Sequence, residues 1–103
     1  MIDIIIPNYN GVIHLPTCLD ALRRQTRRDF CVVVVDDGST DDSRDLLARL
    51  YPEVQVIALQ QNRGLAVAIN AAFHATGGEY VVLLNNDTEA HPRWLEQLVG
   101  ALE

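Results

Sequence analysis

Four short, unbroken aliphatic runs constrain this chain more than any other feature: Ile2 to Ile6, Phe30 to Val35, Val54 to Leu59 and Tyr80 to Leu84. A strand with one wet face alternates apolar and polar residues, whereas a strand covered on both faces reads as a continuous run. Segments with helical spacing separate and follow these runs. Leu15, Leu19 and Leu22 fall at i, i+4 and i+7, and Leu46, Leu47 and Leu50 recur similarly. Leu65, Ile69 and Phe73 share one helical face, as do Trp94, Leu95, Leu98, Val99 and Leu102. Ser39 and Thr40, ahead of Asp41 and Asp42, read as an acidic helix start, and Pro92 suits the start of the last helix. Gly77 and Gly78 suit the end of the third helix. The order βαβαβαβα predicts an α/β fold: an open, mainly parallel sheet with helices on both faces. At 103 residues there is room for a single domain, 1–103.

Charge and cysteine usage exclude several classes. Eight Lys and Arg against fourteen Asp and Glu leave a net charge of −6, and every one of the eight cations is Arg. Such a chain is poorly suited to neutralising nucleic-acid phosphates, but its carboxylates suit a divalent cation. Cys18 and Cys31 are too few for a disulfide framework and too far apart for a redox or zinc pair. Both read as small buried hydrophobes in a protein of a reducing compartment. The N-terminus has no basic leader, and no apolar run approaches the roughly 20 residues of a membrane span, so a soluble chain is expected. His14, His74 and His91 are scattered without ligand spacing. Arg23, Arg24, Arg27 and Arg28 read as a solvated face, with attraction to an anionic membrane surface as the alternative. Trp94 reads as a packing residue.

In open parallel sheets ligands bind beyond the carboxyl ends of the strands. The four ends here carry Pro7-Asn8-Tyr9-Asn10-Gly11, Asp36-Asp37-Gly38-Ser39-Thr40-Asp41-Asp42, Gln60-Gln61-Asn62-Arg63-Gly64 and Asn85-Asn86-Asp87-Thr88. The adjacent carboxylates of Asp36 and Asp37 repel unless a cation or hydrogen-bond donors hold them. One reading gives them helix amides; another gives one to a bound base or ribose and one to a metal. A calcium loop fails because Ala48 stands where a bidentate Glu is needed. The first strand is followed by no Gly-x-Gly-x-x-Gly, and no Walker loop is present. Asp87, flanked by Asn85 and Asn86, is either a hard oxygen ligand for Mg²⁺ or Mn²⁺ or part of a capped turn.

Taken together, Pro7-Asn8-Tyr9-Asn10, Val35 to Asp41, Asn62-Arg63-Gly64 with Ala68 and Asn70, and Gly78-Glu79-Tyr80 running into Leu84-Asn85-Asn86-Asp87 resemble family-two glycosyltransferases of the GT-A fold. The Leu-Asn-Asn-Asp-Thr stretch is similar to the rhamnosyltransferase-like subgroup. The resemblance implies a nucleotide-sugar-dependent, inverting transfer assisted by Mg²⁺ or Mn²⁺, in cell-wall or polysaccharide synthesis. By position it implies nucleotide contacts from Pro7, Asn8, Tyr9, Asp36, Asp37, Arg63, Gly64, Asn70 and Asn86, with Asp87 as metal ligand. The donor would be UDP- or dTDP-linked, and the acceptor a saccharide or lipid-linked molecule at the cytoplasmic membrane face.

Two departures from the family pattern stand out. Asn85 occupies the place of the first carboxylate of the Asp-x-Asp motif, removing an attraction worth about 4 kcal/mol at 4 Å and an effective dielectric of 20. Family members are also longer, and no catalytic residue is assignable here. The general base is expected beyond Glu103, so the chain reads as the nucleotide-binding half of a transferase, with uncovered surfaces open to self-association. A non-catalytic nucleotide-binding domain is the alternative. A response-regulator-like domain ranks third, because it wants acids after the first strand and a late Lys.

Overall fold

The computed structural model describes residues 1–102; Glu103, the last residue of the expected domain, lies outside the described residues. Eight elements follow one another as expected: β1 (Ile2–Asn8), α1 (Leu15–Arg23), β2 (Phe30–Asp37), α2 (Ser43–Leu50), β3 (Gln55–Leu59), α3 (Leu65–Ala75), β4 (Tyr80–Leu83) and α4 (Trp94–Leu102). All strand pairs are parallel, in the order β3-β2-β1-β4. The two central strands are the longest and most buried, which is why they carry the purest aliphatic runs.

Side chains alternate across the sheet. Ile2, Ile4 and Ile6 of β1, with Val32 and Val34 of β2, meet Leu15, Cys18, Leu19 and Leu22 of α1, Leu47 of α2 and Leu95 and Val99 of α4. The opposite face, with Ile5, Val33 and Val35, is covered by Ala68 and Ala72 of α3. Helices thus lie on both faces, three on one and α3 on the other.

Three expectations are corrected. The packing face of α3 is Ala68 and Ala72; Leu65 and Phe73 are 63% and 55% exposed. Small side chains let that helix sit closely on the branched residues of β1 and β2, which turns its bulky residues outward. The segment Ser39 to Asp42 is not helical, and α2 begins at Ser43. Its polar side chains are engaged elsewhere: Ser39 Oγ donates to Asp36 Oδ1 at 2.5 Å, while Asp41 accepts from the amides of Val12 (3.1 Å) and Ser43 (2.9 Å). Helix α3 ends as expected just ahead of the glycines, at Ala75 with Thr76 as its C-cap. Gly78 also allows a close approach, donating its amide to Asp3 Oδ2 at 2.6 Å where a Cβ would strike that carboxylate. Cys31 is exposed, whereas Cys18 is buried as expected.

The arginine cluster is largely engaged by neighbours. Arg23 makes a bidentate contact with Glu53 (2.6 and 2.9 Å) and stacks over Tyr51; Arg27 pairs with Asp29 at 2.7 Å. Arg28 donates to the carbonyl of Arg23, and Arg24 lies 3.7 Å from Glu89. Trp94 is half-buried against the larger cluster. The start of α4 is anchored by Gln25, whose Nε2 donates to the His91 carbonyl (2.8 Å) and whose Oε1 accepts the Leu95 amide (3.0 Å). No helix among the described residues is long and apolar enough to cross a membrane.

Candidate functional site

The carboxyl ends of the strands enclose an open cleft of about 400 Å³. Its walls come from all parts of that edge: Pro7 and Asn8 from β1 with Tyr9 just after it, Asp37 from β2, and Asn62, Gly64, Leu65 and Ala68 from the loop before α3 and its first turns. Asn85, Asn86 and Asp87, after β4, complete it.

Strand alternation resolves the repulsion between the two adjacent acids. Consecutive residues of β2 point to opposite faces, so Asp36 and Asp37 occupy different surroundings. Asp36 is fully buried. It accepts from the Ser39 amide (3.1 Å), the Ser39 hydroxyl and Asn8 Nδ2 (3.1 Å), and Arg44 of α2 approaches it to 3.3 Å. Donors on every side offset the desolvation of this charge. Asp37 Oδ1 accepts the Arg63 amide at 2.7 Å and Oδ2 the Gly64 amide at 2.9 Å. That carboxylate therefore pins the β3–α3 loop and borders the cleft at once.

The loops are sutured to one another. Asn10 adopts a left-handed conformation (φ 51°), and its Oδ1 accepts the amides of Thr40 (2.8 Å) and Asp41 (3.2 Å). Asn tolerates that region better than other side-chain-bearing residues. Gly38 (φ 73°) presses against the backbone of Gln61 and Asn62, where no Cβ fits. Asn8, 2% exposed, bridges two strands' loops: its Nδ2 faces Asp36 and its Oδ1 accepts Asn86 Nδ2 at 2.9 Å.

Asp87 stands exposed on the rim and makes no hydrogen bond or ion pair among the described residues. Its charge is felt by Cys18 of α1: burial first, then the Asp87 carboxylate, push that thiol up to about 11. Among the described residues no three His, Cys, Asp or Glu side chains converge as a metal cluster. One carboxylate beside two side-chain amides, on an open cleft, nevertheless fits Mg²⁺ or Mn²⁺, which keep waters and take further oxygens from a phosphorylated ligand.

The structure brings Pro7, Asn8, Tyr9, Asp37, Gly64, Asn86 and Asp87 to one cleft. It places three other candidates outside it. Asp36 lies beneath the floor with its oxygens engaged by protein donors. Arg63 contributes its backbone amide to Asp37 while its side chain is exposed beyond the lining. Asn70 sits on the outer flank of α3 beside Ala66, Val67, Ile69 and Phe73. Sequence reasoning missed Asn62 and Leu65 as wall residues and Arg44 as the partner of Asp36. The Ser39–Asp36 pairing had a visible signal in the Asp-x-x-Ser spacing, a local side-chain-to-amide turn; Arg44 had none.

An open parallel sheet with an oxygen-rich, acidic cleft at its carboxyl edge defines an α/β domain of the class that takes small ligands at strand ends. Residues 3–103 match the profile of glycosyl transferase family 2, and the chain belongs to that family. An uncharacterized glycosyltransferase of Nostoc sp. is 39% identical over 105 residues, covering 99% of this chain and 33% of the relative. The crystal structure of S. aureus TarS 1–349 in complex with UDP-GlcNAc superposes with a TM-score of 0.88 at 27% identity, covering 96% of this chain and 30% of that one. Glucosyl-3-phosphoglycerate synthase from Mycobacterium tuberculosis, in complex with Mn²⁺, UDP and glucosyl-3-phosphoglycerate, has a TM-score of 0.81 at 25% identity, covering 99% and 39%. The chain spans about a third of the length of the first curated relatives it matches.

Proposed function

We propose that this chain is the donor-binding part of an inverting glycosyltransferase that takes a UDP- or dTDP-linked sugar, of the rhamnosyltransferase-like subgroup. One observation carries the reading: Asp37 and Asp87, distant in sequence, converge on a single cleft with Tyr9 between the strand ends. Tyr9, about half exposed, offers a ring face for the base beside Pro7. Asp37 keeps acceptor capacity toward the cleft after taking the two amides, and so suits base or ribose donors. Asp87, with the amide oxygens of Asn85 or Asn86, would hold Mg²⁺ or Mn²⁺. When bound, that cation neutralises charge developing on the leaving nucleoside diphosphate. The complexes of the two structural neighbours with UDP-GlcNAc and with Mn²⁺ and UDP support the same ligand class.

The acceptor, a saccharide or lipid-linked molecule, and the general base belong in this reading to the length of the relatives that the chain does not span. The 103 residues alone would then bind donor without transferring sugar. Two unpaired cysteines support a cytoplasmic location, where the inner membrane face presents lipid-linked acceptors. Exposed Leu65, Val67 and Phe73 support self-association through the flank of α3.

Thermal unfolding tests the reading. UDP or dTDP with Mn²⁺ at 100 times its dissociation constant stabilises by about 2.7 kcal/mol, a rise of roughly 10–20 °C for a domain of this size. No rise in a folded sample, or an equal rise in Asp87→Ala, would defeat the assignment.

A further inference from the structure

We propose that Asn8 is a positioning residue that sets the orientation of the Asn86 side-chain amide, so that Asn86 offers oxygen, not nitrogen, to a divalent cation beside Asp87. The inference rests on the donor-site reading above.

Polarity is transmitted along three side chains. The carboxylate of Asp36 has only acceptors to offer, and it is fixed by the Ser39 amide and by Arg44. Asn8 must therefore turn Nδ2 toward Asp36, at 3.1 Å, which leaves Oδ1 on its other side. That oxygen can only accept, so Asn86 must present Nδ2, at 2.9 Å. Ser39 reinforces the first step, because its hydroxyl hydrogen is given to Asp36 and its oxygen faces Asn8 Nδ2 at 3.5 Å. With Nδ2 committed, Asn86 Oδ1 is the amide atom that accepts no hydrogen bond among the described residues, and Asn86 lines the cleft next to Asp87. An amide reversed by 180° would aim its donor hydrogens at the cation instead.

A second observation agrees. A Cβ on Gly11 would collide with both the Asn8 and the Asn86 amides, so glycine there leaves the space in which the two side chains meet. Asn8 itself is almost completely buried and faces protein groups with both amide atoms. Its effect on a ligand passes through Asn86.

Two readouts on the 103-residue chain test this. In ¹H–¹⁵N spectra the Asn86 side-chain amide, identified by its loss in Asn86→Ser, should exchange slowly with solvent. In Asn8→Leu, which keeps the volume, it should exchange like an exposed amide; Asn8→Ser, too short to reach Asn86, serves if the leucine variant does not fold. Calorimetric titration with UDP, in EDTA and then in Mn²⁺, supplies the second readout. The gain in UDP affinity on adding Mn²⁺, taken as the ratio of the two affinities within each chain, should fall about tenfold in the Asn8 variant. An unchanged gain overturns the proposal. So does an equal loss in EDTA, which would make Asn8 a direct nucleotide contact. If the native chain binds no UDP, the donor-site reading fails; the Asn86 exchange rate then decides the relay alone, and equal rates in native and variant chains refute it.

Discussion

Asp37→Asn keeps the size of the side chain but replaces one acceptor with a donor where two amides converge. In the native chain each carboxylate oxygen takes one amide, Arg63 at 2.7 Å and Gly64 at 2.9 Å, in a position only 5% exposed. An asparagine can satisfy one of them through Oδ1, as a neutral bond. Its NH₂ must then face the other N–H. A charge-assisted bond of about 1.5–3 kcal/mol becomes a neutral one of about 1, and leaving a part-buried amide unpaired costs about 1–3 kcal/mol. Together these give a loss of about 1.5–5 kcal/mol, a large share of the 5–15 kcal/mol typical of a whole domain. Urea unfolding followed by far-ultraviolet circular dichroism measures it as a lower midpoint at unchanged slope. A loss below about 0.5 kcal/mol would show that the β3–α3 loop is held by other means. The acid would then serve the ligand alone, and the dual role assigned here to Asp37 would be wrong.

Two further outcomes follow from the same geometry. Burial pushes the Asp41 carboxyl up, but hydrogen bonds from Ser43 and the Val12 amide outweigh it and hold the group below its ordinary 3.8. A depressed folded-state value means stability that is fully present above about pH 4 and lost as the pH falls through that lower value. Acid titration of stability should accordingly be shallower in Asp41→Asn than in the native chain, and identical acid limbs would contradict the assigned bonds. On α3, Leu65→Gln and Phe73→Gln should each change stability by no more than about 0.5 kcal/mol, because both side chains are exposed. Ala72→Leu should cost about 1–3 kcal/mol by overpacking against β1 and β2, and the reverse ranking by urea midpoint would invert the assigned face.

The strands were legible because burial on both faces removes the need for alternation, and the runs at residues 2 to 6 and 30 to 35 sit in the centre of the sheet. Pro7 hid the true end of β1 at Asn8. The last β1–β4 pair is Ile5 with Leu83, so at Pro7 no strand waits on that side for the amide that proline lacks. Helix α3 misled for a different reason: periodicity locates an apolar stripe but does not say whether bulky or small residues meet the sheet, and Ala68 and Ala72 do. Glycosyl transferase family 2 was legible from the loops, because their polar residues recur in order at all four strand ends. Which of those residues face the cleft was not. Asp36 and Asp37 are neighbours in sequence, and only the pleat of β2 sends one beneath the floor and the other to the wall. The turn of α3 likewise carries Asn70 to the outer flank.

The most direct measurement is a crystal structure of this chain grown with UDP and Mn²⁺. The account predicts the uracil against Tyr9 and Asp37, the diphosphate in the cleft, and the metal bonded directly to an Asp87 oxygen. Nucleotide bound away from that cleft, or a metal with no bond to Asp87, would contradict it.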